Sequence, residues 1–86
     1  MTNRYKQLVN CVGVAWQDKT SQNHRTRIAA HHRRIRIAFH APDNLSRYDV
    51  VPLRRTDAER MFREQRMTTE LNQTIRQLIK QALQTP

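Results

Sequence analysis

The segment Arg34–Phe39, with the sequence RIRIAF, places a large apolar residue at every second position. This period of two is typical of a half-buried β-strand, because successive side chains of a strand point to opposite faces. Ile35, Ile37 and Phe39 are therefore predicted to face a core. Arg34 and Arg36 are predicted to face solvent, so the strand has one apolar and one strongly basic side.

The residues around this strand are unusually rich in positive charge. Residues 24–40 contain five arginines and four histidines and no acidic residue, and the whole chain has a formal net charge of +9. Of the 16 basic residues, 13 are arginines, whose planar guanidinium groups bind phosphates bidentately. Such an excess raises the affinity for nucleic acids and for acidic surfaces. Exposed strand faces also carry charge simply to prevent edge-to-edge pairing, so this second interpretation stays open.

From this charge pattern we predict a nucleic-acid-binding surface that contacts phosphates and releases their counterions. Its residues are Arg25, Arg27, His32, Arg33, Arg34, Arg36, Arg54 and Arg55. Arg60 and Arg63 would extend it, and the histidines would strengthen anion binding in mildly acidic solution. The expected partner is DNA or RNA. The alternative is a small adaptor or inhibitor, of the kind that mobile elements encode, which docks this basic surface on an acidic protein.

The length of 86 residues predicts one small domain over residues 1–86. We expect its sheet-forming part at about residues 5–55 and its helical part at about residues 56–84. A domain of this size buries only a modest share of its surface, so we expect a homodimer or a subunit of a larger complex.

Cys11 is the only cysteine, which excludes an intrachain disulfide and favours a reducing compartment. The first residues are polar, and no apolar run approaches the roughly 20 residues that a membrane span needs. The sequence therefore predicts a cytoplasmic protein without a membrane segment, associated with the nucleoid if the source is bacterial.

The N-terminal third has two possible structures. Tyr5, Leu8 and Val12 fall at helical spacing, but the β-prone residues around Gly13 favour a strand at about residues 8–17, with Gly13 at a bulge. Trp16 would cover the core or, alternatively, stack on a base. Of the two structures, we predict the strand at about residues 8–17.

The middle of the chain predicts further strands. Arg25–Ala30 fits a strand or a helical turn, and Ile28 has the opposite parity to Ile35. A turn or bulge must therefore fall near His31 and His32 if both residues share one core. After a turn at Ala41 to Asn44, Tyr48–Leu53 fits a second strand or an extended crossover.

The C-terminal third predicts helix. Thr56 and Glu59 form a capping box, and an apolar stripe at helical spacing follows. One helix over residues 57–84 and two helices with a corner near Met67–Thr69 are both compatible with the pattern. The stripe suits a core or a dimer or partner interface, for which the candidate residues are Leu71, Ile75, Leu78, Ile79 and Ala82. Together these elements predict an α+β fold, a small antiparallel sheet of two or three strands packed by a C-terminal helix or a helix-turn-helix pair.

Two short segments resemble known families. Tyr48–Leu53 followed by the two helical segments resembles the ribbon-helix-helix DNA-binding proteins, which dimerise and insert a strand pair into the major groove. His31-His32, the next strand and His40-Ala41-Pro42-Asp43 are similar to the histidine region of HicA-type toxin ribonucleases. That resemblance implies a catalytic histidine on a compact sheet.

Other chemistry has little basis in the sequence. The single glycine leaves no phosphate-binding glycine loop, and the acidic residues are scattered. Cys11 is more typical of an inert buried thiol than of a nucleophile. No acidic residue or cysteine lies near the histidines to complete a metal site. We therefore expect no enzyme activity, no metal and no cofactor.

Overall fold

A computed structural model describes residues 2–64 and 70–84. The chain forms a three-stranded antiparallel sheet of order β1-β2-β3, with helices before and after it. Its elements are α1 (Thr2–Ser21), β1 (Arg25–His31), β2 (Arg34–His40), β3 (Tyr48–Arg54), α2 (Arg55–Glu64) and α3 (Glu70–Leu83). The predicted α+β fold is confirmed. Among the residues described, no helix combines the length and the apolar character that a membrane crossing requires.

Strand β2 is the centre of the sheet and of the core. Ile35, Ile37 and Phe39 are almost completely buried, as their alternation predicts. Leu53 of β3 joins them in a single apolar cluster with residues from all three helices. The ring of Trp16 meets Phe39 edge to face, with 6.2 Å between ring centroids, so Trp16 has the core role.

A tight turn sets the register between β1 and β2. The turn residues are His32 and Arg33, and Ile28 pairs with Ile37. Directly paired residues of an antiparallel sheet share a face, so Ile28 lies on the same side as Ile37 and Ile35. The turn thus accounts for the opposite parity of Ile28 and Ile35 in the sequence. His32 adopts a φ of 55°, a left-handed conformation in which histidine is found more often than most residues.

The predicted strand at residues 8–17 is wrong. This segment lies within α1, so the sheet-forming part begins at Arg25 rather than near residue 5. Tyr5, Val12 and Trp16 lie seven and four residues apart, on one side of the helix, and all three are buried against the core. The free energy gained by burying these three side chains exceeds the local preference of the segment for a strand. Gly13 does not form a bulge, and its cost of about 1 kcal/mol in a helix is small beside this burial.

The C-terminal part folds as a helix pair. Arg76 of α3 donates hydrogen bonds from Nε and Nη2 to the carbonyl oxygen of Phe62 in α2, at 3.3 and 3.1 Å. In one continuous helix these residues would be about 21 Å apart along the axis, so α2 and α3 are two separate helices. The predicted corner at residues 67–69 lies outside the described residues. Within α2, Arg60 forms an ion pair with Glu64, with Nε and Oε1 2.9 Å apart.

The apolar stripe of α3 belongs to the chain's own core. Ile75, Ile79 and Ala82 are buried in it, and Leu78 packs partly buried against it. The side chain of Leu71 lies outside the described residues. The burial of the first three residues is thus explained within one chain, and they offer no exposed surface for the interface predicted from the sequence. The homodimer itself stays a prediction.

Two matched substitutions test α1. Val12 is 1% exposed and Val14 is 66% exposed. Val12→Asp should lower the free energy of unfolding by about 3 kcal/mol or more, because it buries an unpaired charge. Val14→Asp, with the same change of charge, should stay within about 0.5 kcal/mol of the wild type. Denaturant titration measures both values.

The two variants also distinguish a helix from a strand in this segment. In a strand, residues 12 and 14 would lie on the same face and would respond alike. Similar losses of stability in the two variants would contradict α1.

Candidate nucleic-acid interface

One face of the sheet is left uncovered by the helices, and it carries most of the predicted basic residues. The side chains on this open sheet face alternate with those of the core along each strand. Its residues are Arg25, Arg27, Ala29 and His31 of β1, Arg34, Arg36, Ala38 and His40 of β2, and Tyr48, Val50, Pro52 and Arg54 of β3. All five arginines of this face are exposed, and none of its twelve residues is acidic.

Strand pairing arranges these residues in four rows across the sheet. At one end, His31 pairs with Arg34, and Arg34 pairs with Arg54. At the other end, Arg25, His40 and Tyr48 form the corresponding row. Arg27 and Arg36 lie in the two rows between. Because a strand rises about 3.3 Å per residue, the positive charges extend over roughly 20 Å.

The described carboxylates form no ion pair with these arginines. Within residues 2–64 and 70–84, the ion pairs join Lys19 to Asp49, Arg47 to Asp43 and Arg60 to Glu64. No arginine of the open sheet face takes part in them. Their positive charge is therefore available to an external anion, and the low density of carboxylates keeps the local potential positive.

The acidic residue closest to this face in sequence has a partner elsewhere. Asp49 accepts a hydrogen bond from Lys19 at the end of α1, with 2.6 Å between Nζ and Oδ2. This hydrogen bond and the charge of Lys19 lower the pKa of Asp49. Although Asp49 adjoins Tyr48 and Val50 in the chain, its negative charge is compensated on the helix side of the sheet.

Other predicted site residues lie around the edge of this face. His32 and Arg33 are exposed in the turn between β1 and β2. Arg55 is only half exposed at the start of α2, where its Nη2 approaches the carbonyl oxygen of Ala82 at 3.5 Å. Arg55 therefore points toward the helices, unlike Arg54, and does not belong to the open sheet face.

The helix arginines proposed as an extension also differ from each other. The guanidinium group of Arg60 lies over the ring of Tyr5, 3.8 Å from its centroid, and pairs with Glu64. This pairing raises the pKa of Arg60 further. Arg63 is exposed on α2, which packs against the core side of the sheet, so Arg63 does not belong to the open sheet face. Arg60 thus contributes mainly to the attachment of α2 to α1.

A groove beside the sheet adds a basic residue that the sequence analysis missed. It has a volume of about 630 Å³ and lies between the start of α1, the end of β3 and the start of α2. Arg34 and Arg54 border it from the sheet and Arg4 borders it from α1, with Asp57 and Arg60 also in the lining. Arg4 is far from the other basic residues in sequence, so only the folded chain shows that it adjoins them.

The apolar residues of the open sheet face were also missed. Tyr48 and Val50 are exposed on β3, and the Tyr48 ring lies against His40 with 4.9 Å between centroids. The sequence signal was present, because Tyr48 and Val50 have the opposite parity to the buried Leu53. β3 therefore carries apolar side chains on both of its faces, with Leu53 in the core and Tyr48 and Val50 on the open sheet face.

The histidines do not converge on one point. His31 and His32 contact each other at the turn, with 4.2 Å between ring centroids, whereas His40 lies at the opposite end of β2. The two ends are separated by roughly 20 Å. Among the described residues, no group of three histidine, cysteine or acidic side chains is placed to hold a metal ion.

Comparison with known proteins identifies no relative: no family model, no curated protein and no solved structure matches this chain. The ribbon-helix-helix and HicA-type resemblances therefore remain interpretations of short segments.

The ion pair of Lys19 predicts a pH effect. Because the pKa of folded Asp49 is lowered, its stabilising contribution is present above the ordinary value of 3.8 and is lost as the pH falls through the lowered folded pKa. Lys19→Met should return the pKa of Asp49 toward its ordinary value and remove that part of the acid dependence of stability. An NMR titration of the Asp49 carboxyl carbon measures the pKa directly. An unchanged titration midpoint in the variant would exclude Lys19 as the cause.

Proposed function

We propose that this protein binds nucleic acid through the open sheet face, with its arginines on the phosphates. The observation that carries the proposal is the exposure of five arginines on one face that contains no carboxylate. A surface of this kind attracts a polyanion because each phosphate that it neutralises releases condensed counterions. The formal net charge of +9 adds long-range attraction to the same partner.

The choice of residues supports phosphates as the contacted groups. Arginine stays charged at any physiological pH, and its guanidinium group can bind two oxygen atoms of a phosphate at once. The arginines stand on strands, which fix their positions better than a loop would. Such contacts set affinity and orientation on the backbone, and sequence preference would need additional base contacts.

The proposed function also bears on the predicted location and on the adaptor or inhibitor alternative. A nucleic-acid-binding protein of this type would act in the cytoplasm, or on the nucleoid in a bacterium. The adaptor or inhibitor alternative uses the same basic face on an acidic protein, and it becomes the better account if nucleic acid does not bind.

Binding as a function of salt tests the proposal. Fluorescently labelled single-stranded and duplex oligonucleotides of DNA and RNA are titrated with the protein from about 50 to 300 mM salt. If the five arginines contact about five phosphates, log K against log salt should have a slope of about −3 to −5. No detectable binding at the lowest salt concentration would refute the proposal.

Paired variants locate the contacts. Arg27→Gln with Arg36→Gln removes two charges from the open sheet face and should reduce the magnitude of the slope by about 1.5. Arg47→Gln with Arg63→Gln removes the same net charge from the loop before β3 and from α2, and should change the slope much less. Equal effects of the two double variants would show that net charge, rather than the open sheet face, determines binding.

A further inference from the structure

The open sheet face combines positive charge with exposed apolar surface. Tyr48 is 54% exposed and Val50 is 41% exposed, and both lie on this face of β3. Leu45, in the loop between β2 and β3, is 57% exposed. Solvation alone explains exposed arginines, but it does not explain large apolar side chains beside them. An anionic partner that also has apolar surface to bury would match both features.

A pair of rings stands within this apolar surface. The rings of His40 and Tyr48 are 4.9 Å apart, inclined by 34°. Nδ1 of His40 lies 2.9 Å from the carbonyl oxygen of Leu45, a hydrogen bond in which the imidazole N–H donates. The loop therefore holds the imidazole beside Tyr48 before any ligand arrives. A ring that is already positioned loses little conformational entropy when a flat ligand stacks on it.

Basic residues adjoin this ring pair directly. Arg25 pairs with His40 across the strands and so lies in the same row as the two rings. Arg25 and Arg27 line an open cleft of about 290 Å³ together with His40 and Leu45. The row that contains Arg25, His40 and Tyr48 and the adjacent row that contains Arg27 thus present guanidinium groups and aromatic rings side by side.

We propose that the open sheet face binds nucleic acid in its single-stranded form, with an unpaired base stacked on the Tyr48 and His40 rings and flanking phosphates on Arg25 and Arg27. This inference rests on the proposed function and specifies its ligand. An unpaired strand offers both phosphates and free base faces, whereas a duplex keeps its base faces stacked inside. Stacking uses the base face and not the sugar, so the proposal covers DNA and RNA strands alike.

Charge argues against a second copy of the chain on this face. It would bring five more arginines against the first five, which is strongly unfavourable. A single strand uses both features of the face, because its phosphates meet the arginines and its bases meet the rings. An acidic protein is the partner indicated if no oligonucleotide binds.

The test compares a single strand with its own duplex. An oligo(dT) strand and an oligo(U) strand of about 12 nucleotides, and the duplexes that each forms with its complement, are titrated with the folded protein at one salt concentration. Both single strands should bind more tightly than the duplexes. Tyr48→Ala should weaken single-strand binding by roughly 5- to 150-fold, the range expected when one base loses its aromatic partner. Its affinity for the duplexes should stay unchanged.

Three control variants make the result specific. Tyr48→Phe and Tyr48→Trp keep an aromatic ring and should retain single-strand binding. The tryptophan introduced at position 48 should also lose fluorescence as the strand binds, which a purely structural role of Tyr48 would not produce. Val14→Ala shortens another exposed apolar residue, on α1 and away from the sheet, and should leave binding unaltered.

The possible failures are distinguishable. Duplexes bound as tightly as single strands, or single-strand affinity unchanged in Tyr48→Ala, would overturn the stacking inference and leave arginine-mediated nucleic-acid binding in place. Absence of binding to every oligonucleotide would overturn both the inference and the proposed function.

Discussion

The burial of β2 against the helices determines the rest of the structure. Ile35, Ile37 and Phe39 contact the core side, where α1 and α3 supply Val12, Trp16 and Ile79. Each fully buried side chain of this size stabilises the fold by about 1.5–3 kcal/mol. Because strand side chains alternate, the same burial directs Arg34 and Arg36 outward on the opposite face. The hydrophobic effect thus sets the positions of the charged groups, although it does not act on them.

The outward arrangement has an electrostatic cost within the fold. Arg34 and Arg54 are directly paired across β2 and β3, and like charges in this position destabilise a sheet by roughly 0.2–1 kcal/mol. No carboxylate of the described residues forms an ion pair with either of them. A bound polyanion would convert this repulsion into attraction. The pairing is consistent with the proposed binding of a polyanion, whereas edge protection alone would be served as well by mixed charges.

The sequence predicted the elements whose pattern is local. Four elements could be predicted because each shows its own period or turn chemistry. They are the alternation of β2, the turn near His32, the extended segment at Tyr48 and the apolar stripe of α3. The helix α1 was not, since Gly13 and β-prone residues obscure the spacing of Tyr5 and Val12, and only packing against the sheet decides between the two patterns. Arg4 was missed for a related reason, because its place beside the arginines depends on contacts between segments that are distant in the chain. Tyr48 was missed although its parity relative to Leu53 already indicated the exposed face.

The central claim is that the open sheet face is the surface that contacts nucleic acid. NMR observation of the arginine Nε–H groups during titration with an oligonucleotide tests it most directly. The account predicts shifts for Arg25, Arg27, Arg34, Arg36 and Arg54, and nearly constant signals for Arg47 and Arg63. Shifts concentrated on Arg47 and Arg63, with the five arginines of the sheet unaffected, would contradict it.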